Sequence, residues 1–280
     1  MIIEVNNLVY KNRAINKHAI IPKLSDYNLR AESLDFISKD GLKLKALLLR
    51  TDSLKSKGTI IMIHGIRAYK ERFIPISKQL TDKGYNVVLP DLRAHGESEG
   101  KYCTFGNKEK YDISCLIDSL KTKSTINDNY IIWGQSLGAA VSLQALSIDK
   151  RLKLGIIEST FSDYRQIVHD YSKNMIGFDA KVMVDYFIWL SEKIGGFEAD
   201  ETVPANSAKN IKQPVLMVHG EKDKRIKIEY AQLNYANLSS NKKQFIAFEE
   251  ANHLNVWQVG GEAYFNKVIS FIEENLEKQD

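Results

Sequence analysis

One serine sits between two glycines in this chain, and a histidine and an acid follow it late in the sequence. Gly134-Gln-Ser-Leu-Gly138 has the spacing G-x-S-x-G. It follows the apolar run Tyr130–Trp133 and precedes the helical run Leu137–Ile148. A serine at such a strand-to-helix junction sits on a sharp, strained turn, and flanking glycines permit close backbone approach. The helix N-terminus behind it favours negative charge. The bare five-residue pattern also arises as a plain tight turn, so its context carries the nucleophile reading of Ser136. A serine hydroxyl needs a base. His253 lies in Glu249-Glu-Ala-Asn-His-Leu, past the run Phe245–Phe248 and before the last helical pattern. A lone histidine is usually a surface residue or a satisfied core one; this one occupies the last loop, which reaches back over the ligand crevice of a doubly wound sheet. It is the candidate general base. Asp223, in Val218-His-Gly-Glu-Lys-Asp-Lys, can accept Nδ1–H and leave Nε2 for the serine proton. Glu221 is the competing carboxylate.

Acyl transfer also needs donors for an oxyanion. The residue after the nucleophile, Leu137, offers its backbone N–H. The loop His64-Gly-Ile-Arg, after Thr59–Ile63, is expected to offer that of Ile66. Arg67 has two readings: it binds a substrate carboxylate or phosphate, or it pairs with a nearby acid. Lys222, Lys224, Arg225 and Lys227 beside Asp223 either attract an anionic substrate or solvate a loop and helix start. His64, His95, His219 and His253 are scattered and no HExxH occurs, so no metal site is expected. No P-loop or GxGxxG occurs, so no cofactor is implied. The candidate nucleophile at position 136 is a serine, not a carboxylate.

The elements that must hold these groups alternate. Leu34 and Phe36, then Asp40-Gly41, then Leu42, Leu44, Ala46 and Leu48 read as a β-hairpin. Short apolar runs at Thr59–Ile63, Val87–Leu89, Tyr130–Trp133, Leu154–Ile157, Val215–Val218 and Phe245–Phe248 read as strands buried on both faces. Helical patterns fall near 72–83, 107–122, 137–148, 227–238 and 261–277. The expected fold is α/β: a doubly wound, mostly parallel sheet with an N-terminal antiparallel hairpin. Residues 160–210 are too long for a simple connection. Their Met175, Phe178, Met183, Tyr186, Phe187, Ile188, Trp189 and Leu190 read as core packing or as a small cap over a pocket. In the cap reading, Phe187 and Trp189 line the substrate. Residues 1–30 form a poorly patterned arm, with a linker suggested at Pro22 and Asp26. The expected division is an arm at 1–30 and one domain at 31–280, with the cap insertion at 160–204.

With 280 residues, 44% of them apolar, the chain can bury one large core. Its net charge of +4 is interspersed rather than clustered, which argues against a nucleic-acid partner. Cys103 and Cys115 read as free thiols and, with no secretory apolar stretch, suggest a cytoplasmic protein. No run approaches the roughly 20 apolar residues of a membrane span. The oligomeric state is not legible.

His64-Gly65, Asp91-Leu-Arg-Ala-His-Gly-Glu-Ser98, Gly134-Gln-Ser-Leu-Gly138, His219-Gly-Glu-Lys-Asp223 and Asn252-His253 resemble, in order, the motifs of the α/β-hydrolase superfamily. The likeness covers about residues 31–278 and is closest to serine esterases, monoacylglycerol-lipase-like proteins and cap-poor serine peptidases. It implies Ser136, Asp223 and His253 as the triad, Ile66 and Leu137 as oxyanion donors, and Asp91, Arg93 and Gly96 as loop anchors. The expected activity is hydrolysis of small carboxylic esters, or of thioesters or small amides, through an acyl-enzyme. A serine exopeptidase is the runner-up; it needs a charged anchor, for which Glu158, Glu192 and Arg67 are candidates. A non-catalytic binding module is the rival from another class.

Overall fold

A computed structural model of the chain describes residues 21–123, 126–178 and 180–276. Among the described residues, Ala31–Ile37 (β1), Lys43–Leu49 (β2), Gly58–Ile63 (β3), Tyr85–Pro90 (β4), Tyr130–Gln135 (β5), Leu152–Glu158 (β6), Val215–Gly220 (β7) and Lys243–Phe248 (β8) form one sheet in the order β1-β2-β4-β3-β5-β6-β7-β8. The β1–β2 hairpin is antiparallel, and Gly41 at φ +86° makes its turn. β2 runs antiparallel to β4. From there every pairing is parallel, through β3, β5, β6, β7 and β8.

The continuous apolar runs resolve into two alternating faces. In β3, Ile61 and Ile63 face one core while Ile60 and Met62 face the other. The first core is closed by Glu109–Lys121 (α2), Leu137–Ile148 (α3) and Ile228–Asn237 (α7), with Leu116, Val141 and Ala231 among the buried contacts. The second is closed by Ile74–Asp82 (α1) and Val256–Asn275 (α8), through Leu80, Val268 and Ile272. Burial of each such side chain contributes roughly 1.5–3 kcal/mol. α8 begins five residues earlier than the 261–277 pattern suggested, because a short turn from Val256 precedes a break at Gly261 (φ 51°, ψ −143°).

The long interval after β6 is helical. Tyr164–Ile176 (α4) is capped by Asp163, whose side chain accepts from the Gln166 N–H, and Lys181–Gly195 (α5) ends on left-handed Gly196. Pro204–Ala208 (α6) leads into β7. Phe161, Tyr164, Ile167, Val184, Ile188 and Phe197 make a separate small core that reaches Ala140 of α3. The packing reading therefore holds for Ile188 but not for the whole stripe. Phe178, Met183, Tyr186, Phe187 and Trp189 are exposed, with Phe187 at 41% and Trp189 at 49%. α5 has apolar residues on more than one face, and only one face meets the protein.

The expected arm falls mostly on residues 1–20, which lie outside the described residues. The linker expected at Pro22 and Asp26 is instead a 3-10 turn, Leu24–Tyr27, whose Leu24 and Tyr27 pack against the second core together with Leu29. Among the described residues no helix is long and apolar enough to cross a membrane.

Candidate active site

Ser136 is the residue between β5 and α3, and its φ of +57° with ψ −119° is a conformation that costs about 1–3 kcal/mol. The surrounding glycines explain how the turn closes. A Cβ on Gly138 would stand 2.1 Å from the Ile63 carbonyl oxygen, and one on Gly134 2.2 Å from that of Gly138. The Ser136 N–H donates to the Glu158 carbonyl at 2.9 Å, which ties the turn to the end of β6.

The structure brings Ser136, His253 and Asp223 into one hydrogen-bonded chain. Ser136 Oγ lies 2.9 Å from His253 Nε2, and His253 Nδ1 lies 2.7 Å from Asp223 Oδ2. The carboxylate only accepts, so Nδ1 carries the proton and Nε2 faces the serine hydroxyl as an acceptor. The other oxygen of Asp223 accepts from the Arg225 and Ile226 N–H groups at 2.8 and 2.9 Å. Burial raises the Asp223 carboxyl, but the bonds from His253, Ile226 and Arg225 outweigh it and hold the group below the usual range. Glu221, the competing acid, is exposed.

His219, unremarked as a site residue in the sequence, supports this loop. Its Nε2–H donates to the Ile226 carbonyl at 2.8 Å and stands 3.5 Å from Asp223 Oδ2. Burial holds His219 below its ordinary value, which keeps the ring neutral.

Gly65 brings the loop after β3 against Ser136: a Cβ there would lie 3.3 Å from Ser136 Cβ. Among the described residues neither the Ile66 N–H nor the Leu137 N–H has a hydrogen-bond partner. Two unspent donors thus flank the serine, one at the first turn of α3. Arg67 is exposed at φ +58°, and no carboxylate among the described residues pairs with it, so the expected pairing is not seen. Lys222 and Lys227 do pair, with Glu250 and Asp170.

The Asp91–Ser98 segment is an anchored loop. Asp91 accepts from the Lys70 N–H and the Glu97 N–H, both at 2.9 Å, and pairs with the buried Lys70 ammonium. Arg93 forks onto Asp112 and Asp40. Any Cβ on Gly96 would strike the Asp91 carboxylate at 2.1 Å.

Two candidate anchors for a peptide terminus are engaged elsewhere. Glu158 is fully buried on the far face of the sheet, bonded by Trp133, Trp257 and Tyr264. Glu192 pairs with Arg165 and accepts from the Ala199 N–H. Cys103 and Cys115 are free thiols, and among the described residues no cluster of metal-ligating side chains forms.

The profile of the family described as serine aminopeptidase, S33, matches residues 55–192. The chain is 24% identical over 261 residues to protein bem46 of Schizosaccharomyces pombe, covering 91% of this chain and 81% of that protein. Its fold is similar to that of the Pyrococcus furiosus esterase Pf2001, with a TM-score of 0.76 at 23% identity over 92% of this chain and 96% of that one. It is also similar in fold to the acylaminoacyl peptidase of Pyrococcus horikoshii, with a TM-score of 0.69 at 19% identity, over 96% of this chain and 44% of that one.

Proposed function

We propose that this chain, which has the α/β-hydrolase fold, is a serine hydrolase of carboxylic esters, with thioesters and small amides within its chemical reach. The observation that carries the reading is the unbroken chain from Ser136 Oγ through His253 to Asp223, at 2.9 and 2.7 Å. As Ser136 Oγ attacks the acyl carbon, its proton passes to His253 Nε2, and the tetrahedral oxygen receives the Ile66 and Leu137 N–H groups. Asp223 stabilises the imidazolium. Collapse expels the alkoxide, which takes the Nε2 proton and leaves as alcohol. Water then repeats the sequence on the acyl-enzyme and releases the acid. Residues 160–204 act as a cap in this reading, and Arg67, Phe187 and Trp189 are its substrate contacts.

Ser136→Ala tests this reading. Hydrolysis of p-nitrophenyl esters should fall to a few per cent of wild type or less, with thermal unfolding little changed, because one hydroxyl is lost. Substantial residual turnover would remove Ser136 from the mechanism. A non-catalytic binding module would show no turnover in the wild type and no labelling by a fluorophosphonate. The exopeptidase reading is favoured by the S33 profile match; of its three candidate anchors Glu158 and Glu192 are engaged, which leaves Arg67. Comparing p-nitrophenyl esters with aminoacyl-p-nitroanilides separates the two.

A further inference from the structure

Glu158 ends β6 and touches both halves of the machinery at once. Its carbonyl accepts from the Ser136 N–H at 2.9 Å. Its side chain turns to the opposite face of the sheet and is 0% exposed. There it accepts from the Trp133 indole N–H at 2.7 Å, from the Trp257 indole N–H at 2.8 and 2.6 Å, and from the Tyr264 hydroxyl. Trp133 lies three residues before Ser136 on β5, and Trp257 lies four residues after His253. The two indoles also pack together, with ring centroids 5.5 Å apart.

We propose that Glu158 is a positioning residue that locks the general-base loop to the nucleophile strand, a role that rests on the catalytic reading of Ser136 and His253. The break at Gly261 shows why a lock is needed. Trp257 lies on the short turn before it and Tyr264 on the long helix after it, so α8 is not one rigid rod leading to His253. Glu158 accepts from both sides of the break and from β5 as well. Indole N–H groups only donate, and a carboxylate only accepts, so these donors can converge on one group without conflict. A neutral amide has a single acceptor oxygen and would turn an NH2 toward an indole N–H. The arrangement is costly: burial pushes the Glu158 carboxyl up to about 7 against the pull of its donors. Packing alone would be served as well by an apolar residue. Placement of His253 is not, because misplacing a reacting group by about 1 Å can cost on the order of 100-fold in rate.

The test uses the full chain and p-nitrophenyl butyrate. In Glu158→Gln, kcat should fall about tenfold or more while KM stays within about twofold, and the rate at which a small fluorophosphonate labels Ser136 should fall with it. Trp257→Phe keeps an aromatic ring, though a smaller one, and loses the indole N–H, and should shift kcat in the same direction. The double variant should be no slower than the slower single one, because both act through one bond. Unchanged kcat, a rise in KM alone, or multiplied losses in the double variant would overturn the proposal. If Glu158→Gln does not fold, Trp257→Phe carries the same criteria. Failure here with an inactive Ser136→Ala removes only the positioning role, whereas an active Ser136→Ala removes the catalytic reading beneath it.

Discussion

Asp223 and Glu221 are two residues apart, yet only Asp223 faces the histidine. The Gly220 carbonyl accepts from the Asp223 N–H, and the Arg225 and Ile226 N–H groups fix one carboxylate oxygen, which aims the other at His253 Nδ1. Asp223→Asn keeps the size and the backbone bonds but presents an NH2 group to the imidazole. The tautomer with the proton on Nε2 is then favoured, and that tautomer cannot take the serine proton. Esterase kcat should fall by about 10⁴, as the equivalent substitution does in the serine-protease triad. Glu221→Gln should leave kcat within about twofold. A larger loss in Glu221→Gln than in Asp223→Asn, measured side by side, would reassign the acid.

At the scale of the element, α5 is the unusual piece. Val184 and Ile188 fasten it to the small core, while Val182, Met183, Tyr186, Phe187 and Trp189 meet solvent. An exposed apolar group of this kind marks a surface that contacts something else, and the substrate-wall reading makes that something an acyl chain. Each methylene it shields is worth roughly 0.8 kcal/mol. Phe187→Ala and Trp189→Ala should therefore change the ratio of kcat/KM between long and short acyl esters by about tenfold. Because both side chains are already largely exposed, the unfolding temperature should move little. Loss of stability with no change in that ratio would make them packing residues of the insertion.

For the whole molecule, two buried histidines in the loops at the C-terminal ends of β3 and β4 contribute to how folding responds to acid. His64 and His95 pack together with ring centroids 5.0 Å apart and planes tilted by 58°, both fully buried. Burial, with Lys70 and Arg72 nearby, holds His64 down to about 4; burial and the neighbouring His64 hold His95 down to about 3. In the unfolded chain each titrates near 6.5. Their stabilising contribution is thus full above 6.5 and is lost as the pH falls through the folded values, because only the unfolded chain takes up the protons. Glu158 works in the opposite sense, since its carboxyl is raised. A single variant isolates one proton. His95→Asn retains a donor for the Arg93 carbonyl, which His95 Nδ1 meets at 2.9 Å. It should flatten the stability–pH curve by about 1.4 kcal/mol per pH unit between about 6.5 and 4. Urea titrations at several pH values that show parallel curves for the two proteins would place the acid response elsewhere.

Local order along the chain decided the strands, the parallel sheet, the hairpin and the identity of the residues at the elbow. Each of these depends on neighbours within a few residues: a short apolar run, an Asp-Gly pair, a serine that must turn between strand and helix. That Ser136, His253 and Asp223 would meet was legible because a doubly wound sheet gathers the C-terminal ends of its strands at one edge. Tertiary structure decided the rest. Helical spacing in α5 revealed which residues share a stripe, but not which stripe meets protein, because the small core that fixes its rotation draws on Phe161, Tyr164 and Phe197. Arg67 was legible as a cation near the site, and that no carboxylate among the described residues pairs with it depends on where the fold places those acids. Glu158, a candidate charged anchor by sequence, is buried instead. A charged residue at the end of an apolar strand reads as solvent-facing, and the partners that bury it lie 25, 99 and 106 residues away. No pattern of local spacing encodes such partners; only the folded chain brings them together.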